Sequence, residues 1–175
     1  MQGAFTTIAK SKIPTIALAH GFCIGGATSL VSACDIRLAT KDAKFSIGET
    51  KLGLVADVGV IQRMPKIVSS GDMNELALTG RIFDGEHAEK IRFVSKVYEN
   101  SDDLFEAGEK LANEISSNSK RIVQATKEAL EKSSNLTVDQ GLDYAKLWST
   151  SFLVSEDLRE GVMAFLEKRD PKFNE

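Results

Sequence analysis

His20-Gly21-Phe22-Cys23-Ile24-Gly25-Gly26-Ala27 follows the apolar run Thr15-Ile16-Ala17-Leu18-Ala19, and this stretch decides the fold. The run is bounded by Pro14 and Gly21. At that length it predicts a strand buried on both faces, as in a mixed or parallel sheet. Glycines mark its exit, and residues 27–33, with Leu30 and Val31 at helical spacing, predict a helix that Asp35 closes. Residues 36–40 alternate as the next strand, residues 41–43 turn, and residues 44–47 predict a second short strand. Strand, helix, strand is a βαβ rhythm, so the fold class is α/β. A glycine turn that feeds a helix can hold an oxyanion with backbone N–H groups, although a Gly-Gly pair by itself is usually only a turn.

Two carboxylates follow, Glu49 and Asp57, with Gly53 between them. Along a straight strand they would stand about 26 Å apart, too far to share a substrate. A continuous helix would leave them near 12 Å. A fold-back is needed to bring them together, and Gly53 permits one at low cost. Paired carboxylates are the equipment for moving a proton; without further context two loop carboxylates read as solvated surface groups.

Outward from this segment the chain is helical. Residues 3–10 read as the tail of a helix that Lys12-Ile13-Pro14 breaks. Met1 falls almost on top of it, with no capping residue leading in, so a natural fold that starts earlier is expected. Residues from Val58 predict a helix with Val60, Ile61, Met64, Ile67 and Val68 on its apolar face, kinked or broken at Pro65. Asp72 is a candidate N-cap for a helix ending at Gly80, and Asp84 for a helix over residues 85–91. Residues 94–98 predict one more strand. Four helices follow, over residues 102–116 and 119–132, then one opened by a Thr137–Gln140 capping box and one capped by Ser155. Val138, Leu142, Trp148 and Phe152 are expected inward on the third, and Leu158, Val162, Phe165 and Leu166 on the last.

The 175 residues can bury a single-domain core, with 42% apolar and 27% charged residues. The net charge of −3 gives no reason to expect nucleic-acid binding. No apolar run approaches the ~20 residues of a membrane-spanning helix, and no charged-then-apolar leader precedes the fold. Cys23 and Cys34 lie in apolar surroundings without a paired motif and read as reduced core residues of an intracellular protein. The C-terminus is not a Ser-Lys-Leu address. His20 lacks a partner acid at recognisable spacing and reads as a structural loop residue. His87 reads as part of a solvated helix face. Ser29, three residues into a helix with no Ser-His-Asp setting, is rejected as a nucleophile.

Ile13-Pro14-Thr15-Ile16-Ala17, His20 to Gly26 and Ala33-Cys34-Asp35-Ile36-Arg37 together resemble the enoyl-CoA hydratase/isomerase (crotonase) superfamily. Glu49 with Gly59-Val60-Ile61-Gln62-Arg63-Met64-Pro65, and the tail from Ser155 to Arg169, carry the same resemblance over nearly the whole chain. Gly53-Leu54-Val55-Ala56-Asp57-Val58-Gly59 is most similar to the Δ3,5-Δ2,4-dienoyl-CoA isomerases within that family. The resemblance implies a spiral of ββα units, with residues 1–100 as a partial α/β core and 101–175 as a helical subdomain. It implies homotrimers or hexamers and an acyl-CoA thioester as substrate. Coenzyme A is then part of the substrate, and no metal or redox cofactor is called for.

By the same resemblance Glu49 and Asp57 are the catalytic pair and Gly26 donates one of two oxyanion N–H groups. The other donor comes from a loop upstream of Met1, so the chain is expected to be N-terminally short. Lys168 could approach the CoA phosphate of a neighbouring subunit. Hydratases carry a second catalytic glutamate, and dienoyl-CoA isomerases an aspartate, where this chain has Ser29, which argues against hydration. Arg92-Phe93 replaces the family's Gly-Leu, so a local change in that turn is expected. The implied activity is conversion of 3,5-dienoyl-CoA to 2,4-dienoyl-CoA in fatty-acid β-oxidation. Δ3-Δ2-enoyl-CoA isomerisation, enoyl-CoA hydration, and an inactive scaffold or oligomerisation partner are the alternatives. A peroxisomal or mitochondrial location is suggested by family only.

Overall fold

A computed structural model describes residues 1–173. The described chain divides into two compact units, residues 1–11 with 15–110, and residues 12–14 with 111 onward.

The first unit opens with α1 (Gln2–Ala9), followed by β1 (Ile16–Ala19), β2 (Phe22–Ile24), α2 (Gly26–Ala33), β3 (Ile36–Thr40) and β4 (Lys44–Ser46). A 3₁₀ turn over Gly48–Leu52 leads to α3 (Val60–Arg63), which passes into a second 3₁₀ turn, Met64–Lys66. Pro65 sits in that turn, so the helix breaks where proline removes a donor. Then come α4 (Ser70–Thr79), β5 (Phe83–Asp84), α5 (Gly85–Lys90), β6 (Lys96–Tyr98) and α6 (Ser101–Ser116), whose later turns fall past the division.

Two three-stranded sheets result. One has the order β1-β3-β6, all parallel. The other has β2-β4-β5, with β2 parallel and β5 antiparallel to β4. The repeated strand–strand–helix order is the one that a spiral of ββα units implies. Strands β2 and β5, three and two residues long, have no counterpart in the sequence reading, because neither is long enough to show alternation. Strand β1 is half-buried except at Ala19, not buried on both faces, because it lies at the edge of its sheet.

The core of this unit is aromatic at its centre. Phe45 of β4 stacks on Phe83 at 5.5 Å and meets Phe93 edge-on at 5.5 Å, all three buried. Ile47, Val60, Met64 and Leu76 complete the cluster. Ser69, not Asp72, caps α4: its hydroxyl accepts from the Asp72 N–H at 3.2 Å and donates to the Asp72 carboxylate at 2.6 Å. Asp72 therefore occupies the third helical position, where a carboxylate complements the helix dipole. Asp84 caps α5 through the His87 N–H at 2.9 Å. His87 itself is half-buried, packed edge-on against Phe83, and so does not sit on a solvated face. Arg92 takes a left-handed φ of 66° in the turn after α5, the conformation a glycine adopts most easily.

In the second unit α7 (Lys120–Ser133), α8 (Val138–Phe152) and α9 (Glu156–Glu167) are capped by Ser119, Thr137 and Ser155, with the Thr137–Gln140 capping box complete. The apolar faces expected inward on α8 and α9 are largely exposed. Val138 is 80% exposed, Phe165 82% and Leu166 68%, while Ala164 is buried. The periodicity marks which face of a helix is apolar but not what packs against it. Phe152, Leu153, Leu158, Val162 and Phe165 instead line an open apolar groove of about 520 Å³. Among the described residues no helix is long and apolar enough to cross a membrane.

Truncating the centre of the aromatic cluster, Phe45→Ala, is expected to cost about 3–5 kcal/mol of unfolding free energy, read by denaturant titration.

Candidate active site

The glycine turn and the first carboxylate are brought together by strand pairing. Strands β2 and β4 run parallel with Ile24 opposite Ser46, and the Gly25 N–H continues the ladder to the Ser46 carbonyl at 2.8 Å. Beneath the turn, the buried Thr28 hydroxyl donates to the Cys23 carbonyl and lies 3.0 Å from that of Ser46. Each strand thus ends beside the other, one leading into α2 and the other into the 3₁₀ turn that carries Glu49.

Gly25 has a φ of 58° and precedes α2, of which Gly26 is the first residue. The Gly26 N–H is one of the four that a helix leaves without an intrahelical acceptor. The Glu49 carboxylate lies across the same turn. A methyl group at Gly25 would stand 3.3 Å from Glu49 Oε1. Glu49 is half-buried, and its Oε2 is buried with no hydrogen-bond partner. A carboxylate acceptor therefore flanks a helix N-terminus with an available donor. That is the minimum equipment for stabilising a developing oxyanion and moving a nearby proton.

The fold-back at Gly53 is present. Gly53 is left-handed with φ 73°, and the Leu54 N–H returns to the Glu49 carbonyl at 3.0 Å. The Asp57 Cα then lies within about 11 Å of that of Leu54 even if the intervening chain is fully extended. Asp57 is exposed, and its carbonyl accepts from the Gln2 side chain at 2.6 Å. Arg63 braces the same segment, donating to the Val58 carbonyl at 3.3 Å and to the Thr6 hydroxyl at 3.2 Å. Helix α1 thus holds the loop that presents Asp57. On the other side the Thr50 hydroxyl donates to the Ala77 carbonyl at 2.7 Å, pinning the Glu49 turn to α4.

The other titratable residues near these elements take structural positions. Burial pushes the Cys23 thiol up from its ordinary value, which keeps it protonated and a poor nucleophile. Burial likewise pulls the Arg37 guanidinium down, against the raising influence of Cys34 and Asp35, and the group clamps the carbonyls of Phe93 and Cys34 at 2.7 and 2.6 Å. His20 packs edge-on against Phe105 at 5.8 Å. In the second unit, Lys168 is the left-handed C-cap of α9, φ 54°. Among the described residues no group of three or more His, Cys, Asp or Glu is placed to hold a metal ion.

Comparison with known proteins decides the family. The enoyl-CoA hydratase/isomerase family model matches residues 1–175. The chain belongs to the enoyl-CoA hydratase/isomerase family. It is 49% identical over 172 residues to a protein of Dictyostelium discoideum named Δ(3,5)-Δ(2,4)-dienoyl-CoA isomerase, mitochondrial, covering 98% of this chain and 59% of that one. It is 44% identical over 173 residues to the peroxisomal Δ(3,5)-Δ(2,4)-dienoyl-CoA isomerase of Arabidopsis thaliana, covering 99% and 62%. The solved enoyl-CoA hydratase of Bacillus anthracis superposes with a TM-score of 0.92 at 30% identity, over 98% of this chain and 66% of that one. The chain therefore spans about three fifths of the length of these two curated relatives.

The contact between Gly25 and Glu49 was not legible in the sequence, because it depends on the β2–β4 register and β2 itself gave no signal. In the structure of this family member, Gly25→Ala is expected to cost about 1–3 kcal/mol, since the added methyl forces an L residue to a φ of 58° with a ψ of −113°, a combination that glycine alone adopts readily. Adding Glu49→Ala should recover only the part due to the 3.3 Å contact, read by denaturant unfolding of the single and double variants.

Proposed function

We propose that this chain provides the proton-transfer part of a Δ3,5-Δ2,4-dienoyl-CoA isomerase. The observation that carries the reading is the Glu49 carboxylate lying against the Gly25–Gly26 turn at the start of α2. The family membership and the names of the two curated relatives supply the substrate class. In this reading the Gly26 N–H polarises the thioester carbonyl, and one of Glu49 and Asp57 removes a proton from C2. The electrons shift along the conjugated enolate and the other carboxylate returns a proton to C6. Both double bonds move one position toward the thioester, and the composition of the substrate is unchanged. Proton carriers and hydrogen-bond donors suffice for that balance, so the reading needs no metal or redox cofactor, with coenzyme A travelling as part of the substrate.

A Δ3-Δ2-enoyl-CoA isomerase would need one carboxylate, and hydration would need a second acid–base group at the water, where Ser29 offers none. In the full-length protein, Glu49→Gln and Asp57→Asn are each expected to lower kcat on 3,5-dienoyl-CoA by about 10²- to 10⁴-fold. Equal rates in wild type and both variants overturn the reading. Full activity of Asp57→Asn on a Δ3-enoyl-CoA selects the single-carboxylate alternative, and no turnover or binding of any thioester selects the scaffold.

The compartment reading, mitochondrial or peroxisomal, rests on the names of those relatives alone. The assembly reading is a trimer or a hexamer. Exposed apolar side chains on α9 support it, since contiguous apolar surface of this kind marks protein contacts. Sedimentation velocity at micromolar concentration is expected to give three or six copies, reduced to smaller species by Phe165→Asp with Leu166→Asp; a wild-type monomer overturns it.

A further inference from the structure

Three buried side-chain atoms among the described residues carry no hydrogen bond: Ser29 Oγ, Thr40 Oγ1 and Glu49 Oε2. Thr40 ends β3, away from the glycine turn in sequence and pairing. The residues that carry the other two both adjoin Gly25. The Ser29 backbone N–H donates to the Gly25 carbonyl at 3.0 Å, and a Cβ at Gly25 would stand 3.3 Å from Glu49 Oε1.

Neighbouring hydroxyls in the same elements behave differently. Thr28 is satisfied by the Cys23 and Ser46 carbonyls. Ser32 donates back into its own helix, to the Ser29 carbonyl at 2.7 Å. Ser46 donates to the Gly80 carbonyl at 3.0 Å. A buried helical serine ordinarily back-bonds to a carbonyl one turn earlier, and Ser29 does not. Its side chain is nevertheless fully buried. Leaving a buried hydroxyl unpaired costs stability that its replacement by alanine would recover. The two unpaired groups are also complementary, since a hydroxyl can donate and a carboxylate can only accept.

We infer that Ser29 is a positioning residue for Glu49: its hydroxyl and the inner carboxylate oxygen share one hydrogen-bonding molecule, water in the resting protein, across Gly25. The hydroxyl donates to that molecule, which donates in turn to Glu49 Oε2. The bridge fixes the carboxylate in the plane it needs against the turn and leaves Oε1 to face the substrate. Ser29 does not touch the reacting atoms and does not carry the proton. The activity readout rests on the reading of Glu49 as a proton carrier; the stability readout does not.

The test is a double-mutant cycle in the full-length protein, with Ser29→Ala and Glu49→Ala made singly and together. Ser29→Ala removes one oxygen from a helical position and introduces no bulk. It is expected to lower the thermal midpoint by roughly 2–4 °C when Glu49 is present, and to leave it unchanged or raised in the Glu49→Ala background. On 3,5-dienoyl-CoA it is expected to lower kcat about tenfold with KM unchanged. A midpoint that stays the same or rises on Ser29→Ala in the wild-type background overturns the inference, as does an equal loss in both backgrounds. If the wild-type protein turns over no dienoyl-CoA, the proposed function fails, and the thermal cycle still decides whether Ser29 and Glu49 are coupled.

Discussion

The register of the β2–β4 pairing, on which the site depends, is continued by a backbone hydrogen bond from the Gly25 N–H to the Ser46 carbonyl. That bond extends the short parallel β2–β4 ladder by one rung into the turn. Beyond that rung the two chains diverge, one into α2 and the other into the 3₁₀ turn bearing Glu49. Were the pairing to slip by one residue, side chains would exchange faces and Glu49 would leave the helix N-terminus. Thr28 guards against this because its hydroxyl reaches both strands from inside α2, at Cys23 and at Ser46. Phe45, one residue before Ser46, anchors β4 in the aromatic cluster and carries the constraint into the core.

The parts of this arrangement that are local in sequence were legible there. The strand–glycine–helix passage, the fold-back at Gly53, the break at Pro65 and the Asp84, Thr137 and Ser155 caps all express preferences of a few neighbouring residues. The misread or unread features depend on distant partners. Strands β2 and β5 are ordered by pairing with β4 rather than by their own composition. Asp72 looked like a cap, but Ser69, three residues earlier, has the extended backbone that a cap requires. Whether an apolar helix face is covered depends on what packs against it, which periodicity cannot state, and α8 and α9 show the difference. Of the candidate site residues, Gly26 and Glu49 converge on one turn, whereas Asp57 is placed by a loop that Gln2 and Arg63 brace.

That bracing bears on the division of labour within the proposed reaction. Glu49 is half-buried on a turn that Thr50 pins to α4, so its position is set by the fold. Asp57 is exposed, and the contacts that place it go to its backbone and to the neighbouring Val58 carbonyl. In the proposed reaction its exposed side chain is open to the substrate. A carboxylate held by the fold and an exposed one suit a reaction in which protons leave and arrive at different carbons of one chain. Hydration asks for something else, two groups that together fix one water and share its proton. Ser29 can donate a hydrogen bond but has no proton to trade near neutral pH. In the proposed reading Ser29, buried in α2 one turn after Gly25, supports Glu49 and is not a second acid, which favours isomerisation over addition of water.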